Sequence, residues 1–90
     1  MSNNTKLSAR ALVLGSGPSN PNAGETIARA LQGFLYEVMD TQRIDLGGRT
    51  IIAVLIAHDP AHLEAIRDEV EKASSTDGLD LAMLEVDAVN

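Results

Sequence analysis

The stretch Gly15-Ser16-Gly17-Pro18-Ser19-Asn20-Pro21-Asn22-Ala23-Gly24 separates an apolar run that ends at Leu14 from an amphipathic run that begins near Ala23. All ten residues are small, polar or turn-forming, and they include three of the seven glycines and two of the three prolines. Glycine tolerates positive φ and proline has no backbone N–H, so neither the strand nor the helix is expected to run through the stretch. It reads as a strand-to-helix loop. Such a loop leaves backbone amides at a helix N-terminus, where a small anion or a carboxylate can bind. A plain turn with a helix cap uses the same residues, and a lone Gly-x-Gly does not separate the two readings.

The flanks of this loop have clear periods. Ala9–Leu14 (ARALVL) is a short apolar run and reads as a buried strand. On the other side, Ile27, Ala30, Leu31 and Phe34 recur at helical spacing from Ala23 to Leu35, with Asn22 and Glu25 placed as a capping box. Gly33 inside that helix costs stability and is expected to mark close packing on a sheet.

Tyr36–Leu46 (YEVMDTQRIDL) alternates loosely, with Val38, Ile44 and Leu46 on one parity and Glu37, Arg43 and Asp45 on the other. It reads as a half-exposed edge strand in which Asp40 shares the parity of Val38 and so points to the covered face or lies where the strand begins. Gly47-Gly48 suits a tight hairpin turn, and Arg49–Ala57 (RTIIAVLIA) is apolar on both parities, as a central strand is.

Asp59-Pro60 opens a second helix, with Asp as N-cap and Pro in the first helical position. Leu63, Ile66, Val70 and Ala73 form its apolar stripe, Gly78 can terminate it, and Leu79–Val86 is the last strand. Met1–Ser8 is a polar lead-in, residues 9–87 make one domain, and residues 88–90 are a tail.

The element order predicts an α+β fold: a ferredoxin-like βαββαβ two-layer sandwich. Its four-stranded antiparallel sheet has the first and third strands central and both helices on one face. The other face then has no cover within the chain, and the apolar residues of both parities in 51–56 call for a second copy or another domain.

Composition narrows the function classes. The net charge of −6 opposes phosphate backbones and anionic lipid, so neither nucleic acid nor membrane is an expected partner. There is no cysteine, which excludes disulfides, thiol catalysis and Cys-based metal sites. No apolar run reaches transmembrane length, and the expected location is cytoplasmic.

Four functions of this architecture can be weighed on the residues. A metal-transfer domain needs a Cys-x-x-Cys in the first loop. An RNA-recognition domain needs exposed aromatics on the central strands, and the only aromatics are Phe34 and Tyr36. An acyl-phosphate hydrolase needs an arginine in residues 15–24, and there is none. A regulatory domain that binds a small metabolite at the first loop remains.

The Gly-Arg turn and aliphatic strand GGRTIIAVLIA (47–57), followed by LEAIRDEVEKASSTDGLDLAMLEVD (63–87), resemble an ACT domain. More narrowly, they resemble the amino-terminal ACT-type segment of actinobacterial phosphoserine phosphatases. The resemblance covers Ala9 to Asp87. It implies a regulatory, non-catalytic domain that binds a small amino acid, serine in the phosphatase case, and carries no cofactor. It also implies a homodimer through the sheet face or edge, or an attached catalytic domain, as partner. By the resemblance the ligand site comprises Asn20, Asn22, Ala23 and Gly24 of the first loop and Asp40 near the start of the second strand. The loop departs from the family's usual Asp-x-Pro-Gly: its acid is absent, Pro21 is not adjacent to Gly24, and the segment is about two residues longer.

Other candidates have plain structural readings. His58 and His62 are four apart, but His58 precedes the helix cap and no third ligand is evident, so both read as surface histidines rather than a metal site. Glu64, Asp68, Glu69 and Glu71 read as a solvated helix face. Arg49 is expected to pair with Asp45 or Asp87. Ser16 and Ser19 have no base beside them, and no Asp-x-Asp nucleophile motif is present, so the residues make no enzyme by themselves. A structural module that only dimerises or docks is the competing reading.

Overall fold

A computed structural model of the protein describes residues 7–19, 22–74 and 78–86. The elements are β1 (Ala9–Pro18), α1 (Ala23–Leu31), β2 (Tyr36–Leu46), β3 (Arg49–His58), α2 (Leu63–Ala73) and β4 (Asp80–Val86). They form one four-stranded sheet in the order β2-β3-β1-β4, antiparallel at every pairing. The expected βαββαβ sandwich is therefore the observed one. The lead-in up to residue 6, Asn20, Pro21 and the tail lie outside the described residues.

The core lies between the sheet and the two helices. Ala11 and Val13 of β1, Ile52, Val54 and Ile56 of β3, and Leu81 and Met83 of β4 meet Ile27 and Leu31 of α1 and Ile66 and Val70 of α2. Burying each large aliphatic side chain stabilises the fold by about 1.5–3 kcal/mol.

The first strand is longer than its apolar run. β1 continues through Gly15, Ser16 and Gly17 to Pro18, paired to β3 down to Pro18 opposite Arg49. Gly15 and Gly17 share the helix-side face with Ala11 and Val13. A Cβ at Gly15 would come 3.0 Å from a Leu81 methyl and 3.2 Å from an Ile52 methyl. One at Gly17 would meet the carbonyl oxygen of Gly78. These glycines are therefore close-packing positions within a strand, not part of an open loop. The expectation that the strand stops at Leu14 is corrected.

α1 is shorter than its periodicity. It ends at Leu31, with Gln32 as C-cap. Gly33 is exposed, and a Cβ there would meet nothing within 4 Å, so it marks no close packing. The capping box also does not form. Asn22 has φ −104° and ψ 19°, not the extended geometry of a side-chain cap, and its side chain makes no capping bond. Its carbonyl instead accepts from the amides of Glu25 at 3.0 Å and Thr26 at 3.1 Å.

The hairpin and the second helix follow the sequence. Gly47 and Gly48 take φ of +55° and +80°, as a turn that follows strand twist requires. Asp59 caps with its carboxylate, which accepts from the Ala61 amide at 2.9 Å, and Pro60 opens a single 3₁₀ turn, Pro60–His62, before α2. His58 is fully buried at the end of β3, which corrects its reading as a surface histidine.

β2 carries the main irregularity. Val38 lies opposite Ile56 and Asp40 opposite Leu55, so Met39 is an unpaired extra residue, a β-bulge. A bulge inverts the parity of everything beyond it. Tyr36 and Val38 before it, and Thr41, Arg43 and Asp45 after it, lie on the helix side. Asp40, Gln42, Ile44 and Leu46 lie on the open face. The uninterrupted alternation expected for this strand, with Asp40 sharing the face of Val38, is corrected by that one residue.

Candidate functional site

At the edge of the sandwich, between α1 and β2, is a cavity of about 140 Å³. Ile27, Ala28 and Leu31 of α1 form one wall, Ile52 and Val54 of β3 the floor, and Tyr36, Val38 and Thr41 of β2 the outer wall, with Gly24 at the rim. Each contribution has a local cause. The helical stripe of α1 turns Ile27 and Leu31 inward, and the pleat of β3 points Ile52 and Val54 the same way. The bulge at Met39 brings both Val38 and Thr41 to this side, although they are three residues apart and would face opposite ways in a regular strand.

Gly24 keeps the rim low. A Cβ there would stand 3.7 Å from the Ile52 Cδ1, in ordinary contact, so the glycine leaves space and relieves no clash. Ala23 is fully buried. The amides of Ala23 and Gly24 are the first two of α1 and have no acceptor within the helix, while the Asn22 carbonyl takes those of Glu25 and Thr26.

The structure thus brings Gly24 to the mouth of a cavity; Ala23 before it is buried, and Asn22 is the N-cap. Asn20 is outside the described residues. Asp40 is not with them: it lies on the opposite face of the sheet, beside a shallow depression over Leu12, Ala53 and Leu55. Its carboxylate accepts from the Thr41 amide at 2.8 Å, which satisfies a donor next to the bulge. Thr41, which the alternation did not single out, takes the place at the cavity that was expected of Asp40. No sequence signal marked it, because the bulge is set by pairing with β3.

The charged groups near the hairpin form a separate network. Arg43 makes a two-pronged pair with Asp45, Nε to Oδ2 at 3.1 Å and Nη2 to Oδ1 at 3.3 Å. The Thr50 hydroxyl donates to Asp45 Oδ1 at 2.7 Å. The hydrogen bonds from Arg43 and then Thr50 hold the Asp45 carboxyl below its usual range. Arg49 does not pair with Asp45; its Nη2 donates to Ser16 Oγ at 3.2 Å, and Asp87 is outside the described residues.

Among the described residues, no group of three His, Asp, Glu or Cys side chains is placed to hold a metal ion. His62 stacks at a tilt on Phe34, ring centroids 6.1 Å apart, and does not meet His58. No helix of the described residues is long and apolar enough to cross a membrane.

The arrangement of a β2-β3-β1-β4 sheet under two helices recurs in known structures. An ACT domain protein from Streptococcus pneumoniae superposes with a TM-score of 0.74 at 11% identity, over 87% of this chain and 90% of that one. The chain has the fold of an ACT domain. A putative glycine cleavage system transcriptional repressor shares the ACT fold with a TM-score of 0.75 at 12% identity, over 91% of this chain and 48% of the repressor. A formyltetrahydrofolate deformylase from Pseudomonas putida KT2440 gives 0.69 at 17% identity, over 83% of this chain and 28% of the deformylase. This chain thus spans about half the length of the repressor and about a quarter of that of the deformylase. No protein-family model matches the sequence, and no curated protein matches it.

Proposed function

We propose that this ACT-fold chain is a regulatory, non-catalytic domain that binds a small amino acid at the N-terminus of α1. The observation that carries this reading is the cavity between α1 and β2, rimmed by Gly24, whose amide in the first turn of α1 has no intrahelical acceptor. A carboxylate seated on the exposed Gly24 amide at the start of α1 is favoured by the helix dipole, and the side chain of the ligand then enters the cavity. Asn22, the N-cap, is next to that carboxylate in the chain. Asp40, on the open face, does not line this cavity.

The sequence resemblance extends this reading to the amino-terminal part of a phosphoserine phosphatase-like protein, with serine as the first ligand to test. Binding would shift the population of domain arrangements and so reach an attached catalytic domain. Titration calorimetry with single amino acids is the direct test. Saturable heat is expected at millimolar ligand or below, and its absence for every amino acid would sink the reading.

One observation favours a second function beside the first. On the open face of the sheet Ile44, Leu46, Ile51 and Leu84 are 42–64% exposed and adjoin Leu12 and Leu55. A contiguous apolar face of this kind is a docking surface for a second copy or for an attached domain. Sedimentation with and without amino acid separates the readings: a pure docking module self-associates with concentration and ignores the ligand.

A further inference from the structure

The walls of the cavity bear on which amino acid enters it. Ile27, Leu31, Ile52 and Val54 are buried core residues, and Ala28 and Val38 complete an aliphatic lining. The polar side chains on this lining are the hydroxyls of Tyr36 and Thr41, and no carboxylate or cation lines it among the described residues. A space of about 140 Å³ is close to the roughly 150 Å³ of an apolar cavity that stays dry and accepts a benzene-sized guest. A hydroxymethyl group would leave most of that aliphatic lining uncovered. A branched chain of three or four carbons fills it.

Building on the proposed amino-acid site, we infer that its ligand is a branched-chain aliphatic amino acid of valine to leucine size, and not serine. The carboxylate takes the Gly24 amide at the rim and the side chain lies between Ala28, Ile52 and Val38. The ammonium group stays at the solvent edge, because no carboxylate of the described lining reaches it. Selectivity therefore comes from the apolar side chain. Each buried methylene contributes about a fourfold gain in affinity, so leucine is expected to bind at least about tenfold more tightly than serine.

The test is a titration of the whole chain with leucine, isoleucine, valine, alanine, serine, glycine and 4-methylvalerate, read by calorimetry and by the amide shifts of Gly24 and Thr41. The expected order is leucine, isoleucine and valine ahead of alanine, with serine and glycine last. 4-Methylvalerate, which lacks the ammonium, is expected to lose less affinity than serine does. Ala28→Leu is the blocking variant. Ala28 is exposed on α1 and leucine is a good helix former, so the fold is retained while the new side chain occupies the cavity. Leucine binding should fall more than tenfold with the melting temperature unchanged or raised.

Serine or glycine binding as tightly as leucine would overturn the inference and leave the amino-acid site standing. Silence with every amino acid would remove both. Unchanged leucine binding by Ala28→Leu would move the site elsewhere and overturn the assignment. Self-association that Ala28→Leu abolishes, with no ligand effect, would assign the cavity to a side chain of a second copy instead.

Discussion

Gly17 and Gly78 meet at the end of the sheet, and a Cβ on Gly17 would overlap the carbonyl oxygen of Gly78. Gly17 is the next-to-last residue of β1 and Gly78, at φ +79°, leads the chain from α2 into β4, so β1 can lie against that turn only as long as Gly17 has no side chain.

Gly17→Ala is expected to destabilise the fold by about 1–3 kcal/mol, because a backbone carbonyl cannot rotate away as a side-chain tip can. Gly33→Ala is the control. Gly33 is exposed, has open space around its Cα and is not at positive φ, so alanine there should be neutral or stabilise by up to about 1 kcal/mol. Urea midpoints of the two variants, at unchanged slope, check the contrast.

Asp45 makes stability depend on acid pH. Its carboxyl is held below the ordinary range by Arg43 and Thr50, so the stabilisation is present above the unfolded-state value, about 3.9, and is lost as pH falls through the lower folded-state value. Asp45→Asn should therefore be less stable than the parent at pH 7 and equal to it well below pH 3. The pair is exposed, with side chains 34% and 55% accessible, so the gap should also shrink at high salt. Thermal melts across pH and ionic strength read both effects. A difference between the two proteins that stayed constant from pH 7 to pH 2 would contradict this account.

His58 is a polar side chain held in the core by one hydrogen bond. A carbonyl can only accept, so the 3.0 Å contact to the Asp59 carbonyl puts the proton on Nδ1 and leaves Nε2 as a buried acceptor with no partner among the described residues. The Asp59 carbonyl also accepts from the His62 amide at 2.9 Å and so keeps a donor without His58. His58→Leu, which removes the orphan atom, should leave stability within about 1 kcal/mol of the parent or raise it. His58→Ala, which opens a cavity instead, should cost about 2 kcal/mol or more. Chemical denaturation of the two variants distinguishes packing from polarity at this site.

The open face gives a prediction that is independent of ligand. Leu84 is 53% exposed and Ile51 is 42% exposed, so Leu84→Glu and Ile51→Lys lose only about half of a buried side chain each and should cost the monomer about 1 kcal/mol, leaving it folded. Any self-association through that face should be lost. Sedimentation velocity over a concentration series measures it; association that survives both substitutions would place the contact at another surface, such as the β2 edge.

Much of this molecule is legible one residue after another. The apolar run of β3, the glycine pair at the hairpin, the Asp-Pro start before α2 and the two helical stripes each depend on neighbours within a turn or two. Local rules of period and backbone geometry therefore fix the element order and, with right-handed crossovers, the sandwich. The sequence determined this much by itself, together with an acidic, cysteine-free composition.

Tertiary structure decided three things that bear on the site. β1 runs on to Pro18 because β3 and the turn at Gly78 offer its glycines a place where only a bare backbone fits. The bulge at Met39 is set by pairing with Leu55 and Ile56, and it carries Asp40 to the open face and Thr41 to the cavity. His58 is buried because the end of β3 lies under its neighbours, not because of its own chemistry. In each case the deciding partner is remote in the chain, and a one-residue change of register exchanges the two faces of a strand. The glycine-rich stretch therefore divides. Its first half is strand, and its last residue, Gly24, is at the rim of a cavity whose aliphatic walls come from β2, β3 and α1.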